Sequence, residues 1–354
     1  MLAGHYTAAA AALVGRVRMK LWLTLIMVVS AASEKQDDIL EPGAGPEMIQ
    51  EVGAGEGPAW HPQLGLLTSG GGHIYRRDRE DRVSVFRENA GANGLLFDRR
   101  GRLLICEPRQ RRVTRFESSG DISVLADSYE GKRFNSPNDL ALDSKNRLYF
   151  TDPRYGDRSD MEMSDASGRK VEGVYRYDLD GKLTRIITHE VDRPNGLAIT
   201  PDDRYLYVAD NNNDTVGGAR RLWRFDLQPD GSVDPKSQKL IYDWKTTRGP
   251  DGMKLDAEGR LFVAAGLNKS NPPWETADKP TAGVHVFSPK GQLLKFIPIP
   301  RDETTNCAFG GDDLRTLYVT AGGTLWSVRT VVPGRPVFPA SRRDSRDAGE
   351  SGPP

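Results

Sequence analysis

The chain has 354 residues, room for two average domains or one large architecture. Its 49 Lys and Arg balance 49 Asp and Glu, which argues against a nucleic-acid binder, since such a protein carries a basic excess. Hydrophobic residues make up 37 % and charged residues 28 %, a globular balance; 37 Gly and 23 Pro fit a fold with many turns, and two Cys are too few for a disulfide scaffold or a four-thiolate zinc site.

Residues 19–33 read as a secretory signal. Met19 and Lys20 give a charged start, Leu21–Val29 an apolar core too short to span a bilayer, and Val29-Ser30-Ala31 small residues for cleavage. This predicts export, to the periplasm or beyond, with Met19 as a possible true start within the signal region 1–33. Residues 34–45 read as a linker. Residues 331–354, rich in Pro, Arg, Ser and Gly, read as a disordered tail. The folded body is expected over 46–330, with no transmembrane segment after residue 40.

Six copies of one pattern fill that body. They begin at Glu56 (EGPAWHPQLGLLTS, the weakest), Asn93 (NGLLFDRRGRLLICE), Asn138 (NDLALDSKNRLYFTD), Asn195 (NGLAITPDDRYLYVAD), Asp251 (DGMKLDAEGRLFVAAG) and Asn306 (NCAFGGDDLRTLYVTA), spaced 37 to 57 residues apart. Each is a hairpin of two β-rich runs around an Asp/Gly/Asn/Pro turn. Each of the first five is followed by a second hairpin, as in VYRYDLDGKLTRIIT (174–188). Four strands per repeat, six times, is an all-β, six-bladed β-propeller. The last repeat is one strand short, and residues 47–53 (EMIQEVG) are expected to close the ring there.

In such a ring the first strand of each blade lines the channel. The residues opening the repeats, Glu56, Asn93, Asn138, Asn195, Asp251 and Asn306, therefore gather at one mouth. Counting around each hairpin predicts a second ring: Asp152 level with Asn138, Asp210 with Asn195, Glu107 with Asn93. Carboxylate and amide oxygens without His or Cys suit Ca²⁺ or Mg²⁺. Glu56 and Asp251 would neutralise a divalent charge, and Asn138 and Asn195 would complete a protein shell. A cation with an open position polarises a carbonyl, and a nearby carboxylate activates water. No G-x-S-x-G elbow occurs. Asp210–Asp214 begins like an EF-hand loop but has Thr215 and Arg221 where Gly and Glu belong. Cys106 and Cys307 fall in repeats that are not neighbours, so no disulfide is expected.

EGPAW (56–60), NSPNDL (135–140), TDPRYG (151–156), RPNGLAITPD (193–202), GPDGMKLDAEG (249–259) and TNCAFGGDD (305–313), in that order, resemble the gluconolactonase/regucalcin family over roughly residues 47–329. The resemblance implies a six-bladed propeller with a divalent metal in its channel, usually calcium, though Mg²⁺ or Zn²⁺ would also serve. It implies hydrolysis of sugar-acid lactones. Metal ligands then fall on Glu56, Asn138, Asn195 and Asp251, with Asp251 also the candidate general base or, alternatively, a metal-bound hydroxide as the attacking group. Substrate contacts are assigned to Asn138, Asp139, Asp152, Asp210 and Glu107. The chain departs from the family at Ser136, where regucalcin-like members have Arg, at Cys106-Glu107-Pro108, where many bacterial members have His after the Glu, and at Thr68-Ser69-Gly70, where an Asp-containing strand end is common. The expected partner is a small lactone or ester, with the protein a monomer or dimer. Two other readings stand beside this one: a metal-stabilised binding propeller without turnover, and a hydrolase of a different ester or lactone.

Overall fold

The computed structural model describes residues 39–336. The expected signal region 1–33, residues 34–38 of the expected linker and residues 337–354 of the expected tail lie outside them. Six four-stranded antiparallel sheets follow one another around a channel, a six-bladed β-propeller, and no helix occurs among the described residues. Inner strands are Glu56–His61, Leu95–Phe97, Leu140–Leu142, Pro194–Ile199, Pro250–Leu255 and Thr304–Gly310, for blades 1 to 6. Blade 6 takes its outermost strand from Glu47–Gln50, which pairs antiparallel with Thr324–Arg329, as expected for ring closure.

The apolar runs in the hairpins are continuous because both faces of every blade are covered. Alternate residues go to opposite seams. Leu95, Phe97, Leu103 and Ile105 pack toward blade 1, while Leu96, Leu104 and Cys106 pack toward blade 3. Six apolar clusters result, one per seam. The seam between blades 6 and 1 is the smallest, with Ala54, Leu66 and Leu325 as its fully buried members. Polar ties supplement it: Arg79 donates twice to Asp312, at 2.7 and 2.8 Å, and Thr305 Oγ1 donates to the Gly55 carbonyl at 2.7 Å. Cys106 and Cys307 are buried in different seams and unbridged.

The turns explain the recurrent D-x-x-G/N-R spelling. Asp98 Oδ1 accepts from the amides of Arg100 and Arg102, and its Oδ2 pairs with the Arg102 guanidinium at 2.6 Å. Asp143 with Arg147, and Asp256 with Arg260, repeat the arrangement. Short Asp side chains that bond their own backbone two and four residues on stabilise such turns.

The packed chain runs past the expected limits of 46 and 330. Ile39 is buried between blades 5 and 6, and Leu40 bridges to Thr330. The first residues of the expected tail cross the end of the channel opposite the ring of opening residues. There Ala257 N–H donates to Pro333 O (2.9 Å), Gly334 N–H to Leu314 O (2.8 Å) and Arg335 N–H to Leu255 O (3.1 Å), while Arg335 Nη1 reaches Ile199 O at 3.0 Å. Composition suggested a tail here; carbonyls left open at the inner-strand ends hold it down instead.

Removing residues through Val52 strips the outer strand from blade 6 and bares the edge of Thr324–Arg329 beside the smallest seam. The shortened protein is expected to melt several degrees lower and to aggregate on heating, read by a thermal scan with light scattering.

Candidate active site

Each inner strand begins where the chain enters the channel mouth, and little space separates it from the next. A Cβ on Gly196 would lie 2.1 Å from the Asp251 carbonyl, and one on Gly252 would lie 1.9 Å from Asn306 Cγ. Glycine after the opening residue is therefore a packing requirement, met also at Gly57 and Gly94. Blades 3 and 6 depart from the rule with Asp139 and Cys307, and the Asp139 carboxylate enters the shared space.

The structure thus brings Glu56, Asp139, Asp251 and Asn306 together. Asn306 Nδ2 donates to Glu56 Oε2 at 3.1 Å and reaches Asp139 Oδ2 at 3.5 Å, linking blade 6 to blades 1 and 3. Asn195 joins from blade 4: its Nδ2 donates to the Tyr155 hydroxyl at 2.8 Å. Asn138, 7 % exposed, heads blade 3 and holds its place through its backbone, donating to Thr151 O (2.9 Å) and accepting from Gly94 N–H (2.8 Å). Among the described residues no protein group bonds Asn195 Oδ1 or Asp251 Oδ1, both buried.

Burial raises the pKa of the Asp251 carboxyl well above the carboxylate range, and the charges of Glu56, Glu303 and Asp139 add to it while Arg248 opposes them. Burial likewise raises Glu56, with the Asp139 charge, against the pull of Gly57 N–H and the Asn306 amide. Crowded acids beside the unbonded Asp251 and Asn195 oxygens form a site that a cation would relieve.

Three expected substrate contacts have another task. Asp152 Oδ2 and Oδ1 accept from the amides of Asn135 (2.9 Å) and Ser136 (2.8 Å). Asp210 does the same for Arg193 (2.9 Å) and Asp192 (3.2 Å), and accepts from Trp223 Nε1 at 3.0 Å. Glu107 is fully buried, pairing with Arg87 (2.7 Å) and Arg112 (2.6 Å) and accepting from Thr114 Oγ1 (3.1 Å). Hairpin counting gives the level of a residue and not its direction. A β-bulge at the head of the inner strand in blade 4 sets Asp210 opposite Pro194. Asp152 and Asp210 fasten incoming loops and Glu107 ties neighbouring strands through two arginines, and the structure does not bring the three to the ring.

The chain matches the family model described as the SMP-30/Gluconolactonase/LRE-like region over residues 54–323. It belongs to that family. Among curated relatives, a gluconolactonase of Zymomonas mobilis is 29 % identical over 327 residues, covering 85 % of this chain and 86 % of the relative. A pentonolactonase of Haloferax volcanii is 28 % identical over 277 residues, 76 % of this chain and 81 % of the relative. Among solved structures, a gluconolactonase from Xanthomonas campestris superposes with a TM-score of 0.67 at 29 % identity, covering 83 % of this chain and 91 % of that one.

In this SMP-30/gluconolactonase member, sequence reasoning missed the groups around the ring. Arg248 is clamped by Glu275 (Nε–Oε1 2.6 Å, Nη2–Oε2 2.8 Å) and also pairs with Glu303, setting a buried cation beside Asp251. Tyr155 stands against Asn195. Asn306 was legible as a ring position, but its bridge between Glu56 and Asp139 was not. Glu275 and Tyr155 lie in loops between strands, where no repeat register marks them.

The loop-fastening role predicts that Asp152→Ala strands two buried amides and lowers stability by about 1–3 kcal/mol. The denaturant midpoint checks this, and turnover per folded molecule is expected to fall less than stability does.

Proposed function

We propose that the protein hydrolyses a small lactone, a sugar-acid lactone such as gluconolactone being the favoured class, at the ring of Glu56, Asn138, Asn195 and Asp251 with a divalent cation held there. The observation that carries this is the pairing of buried Asp251 and half-buried Glu56, whose charges repel, with bare Asp251 and Asn195 oxygens, in a chain whose relatives are named lactonases. Among the described residues no three His, Cys, Asp or Glu side chains are arranged to hold a metal ion by themselves, so the proposed donors are two carboxylates with two amides. That hard, uncharged-plus-anionic oxygen set fits Ca²⁺, with Mg²⁺ next. When bound, the cation supplies a Lewis acid for the lactone carbonyl.

The protein groups divide the remaining work. Asp251 has an oxygen free to take the proton of an attacking water. Water oxygen bonds to the acyl carbon, the ring C–O bond breaks, and the departing alkoxide takes up a proton, giving the open hydroxy acid. Arg248, close enough for its charge to lower the pKa of Asp251, favours the carboxylate that this requires. Asp139 faces the same space and is placed to accept from a substrate hydroxyl. The leader-like segment 19–33 supports action outside the cytoplasm.

The test is acid release from D-glucono-1,5-lactone by chelator-stripped and calcium-restored protein, with Asp251→Asn alongside. Turnover is expected to vanish with chelator and return with calcium. The variant is expected to lose about 10²–10⁴-fold in kcat. Full metal occupancy without turnover on a lactone and ester panel would leave a ligand-binding propeller.

The raised carboxyls also give a pH dependence. Each must lose its proton to bind a cation, so calcium affinity is expected to weaken as pH falls, starting above the ordinary carboxylate range near about 4. Calorimetric titrations between pH 8 and pH 5 check the sign; affinity flat across that span would contradict it.

A further inference from the structure

Asn195 is 4 % exposed, and its amide has two ends of equal size. Nδ2 donates to Tyr155; Oδ1 is buried without a donor. Nothing in the Asn195 side chain itself chooses this orientation over its flip. A flip would put Nδ2, a pure donor, where the buried, unbonded Oδ1 now stands.

Tyr155 makes the choice. Its hydroxyl has one hydrogen, which it donates to the Asn211 carbonyl at 3.2 Å. That carbonyl accepts only. The phenol oxygen therefore has only lone pairs left for Asn195, and the NH₂ end alone satisfies them. The ring is held from behind: the Arg193 guanidinium lies over it at 5.1 Å. Arg193 is in turn fixed by Glu172, at 3.1 Å, and by Asp214. Gly156 N–H, the next residue in the chain, donates to Asp214 at 3.2 Å. The phenol also stands near enough to Asp251 to feel its charge.

We propose that Tyr155 is a positioning residue that orients the Asn195 amide so that Oδ1, and not Nδ2, faces the cation position shared with Asp251 and Glu56. This rests on the metal reading given above. In this role Tyr155 acts through Asn195, by one hydrogen bond.

The test is calcium affinity, measured by titration calorimetry with calcium chloride on the chelator-stripped full chain, in a double-mutant cycle. Tyr155→Phe removes one oxygen and keeps the ring under Arg193. It is expected to weaken calcium binding about 10–100-fold, with the metal-free melting temperature near that of the parent. In an Asn195→Asp background either carboxylate oxygen serves the cation, whichever way the phenol hydroxyl turns. There Tyr155→Phe is expected to leave affinity unchanged. Unchanged affinity in the Asn195 background overturns the proposal, and so does an equal loss in both backgrounds, which marks a general structural role. If the parent protein binds no calcium, the metal reading itself fails and takes this proposal with it. Parent binding that is unaffected by Tyr155→Phe removes this proposal alone.

Discussion

Six inner strands converge on one axis, and in four of the six blades the position after the opening residue has no room for a Cβ. Gly196 stands against the Asp251 backbone and Gly252 against the Asn306 side chain. From this crowding the rest follows. Opening residues are pushed into a shared volume, where burial first and neighbouring negative charge second raise the pKa of Glu56 and Asp251. The one blade with a carboxylate in place of that glycine, at Asp139, adds a third negative group to the same space.

Carboxylates in this propeller sort by what satisfies them. Asp98, Asp143 and Asp256 close hairpin turns with their own backbone and an Arg four residues on. Asp152 and Asp210 fasten loops through backbone amides, and Glu107 is spent on two arginines. Each has donors for its oxygens, so each is structural. Asp251 differs in keeping a buried oxygen that no protein group bonds. An unsatisfied buried acceptor is costly, and a fold keeps one where a ligand completes it.

Around the ring lies a collar of ion pairs on two buried arginines: Arg193 with buried Glu172 and part-exposed Asp214, Arg248 with buried Glu275 and exposed Glu303. Its arginines precede ring residues in the chain, at Arg193-Pro-Asn195 and Arg248-Gly-Pro-Asp251, so each locks the approach of an inner strand as well as setting charge near the mouth. The collar's acids come from long inter-strand loops. Rigid blades thus supply the ring, and loops supply what orients it.

The sequence by itself determined the number of blades, the strand that closes the last one and the identity of the ring, because each depends on a repeating register. A hairpin copied six times puts Glu56, Asn138, Asn195, Asp251 and Asn306 at equivalent places whatever the loops do. Tertiary structure alone decided which way side chains point and what meets across the channel. Asp152, Asp210 and Glu107 sit at the level that hairpin counting gives, yet face loops or arginines, because bulges and loop amides act between segments far apart in the chain. Tyr155 meets Asn195, 40 residues on, only through the folding-back of a loop that has no counterpart in the repeat. The tail's first residues cross the far mouth for the same reason: their partners are carbonyls of other blades, which no local composition reveals.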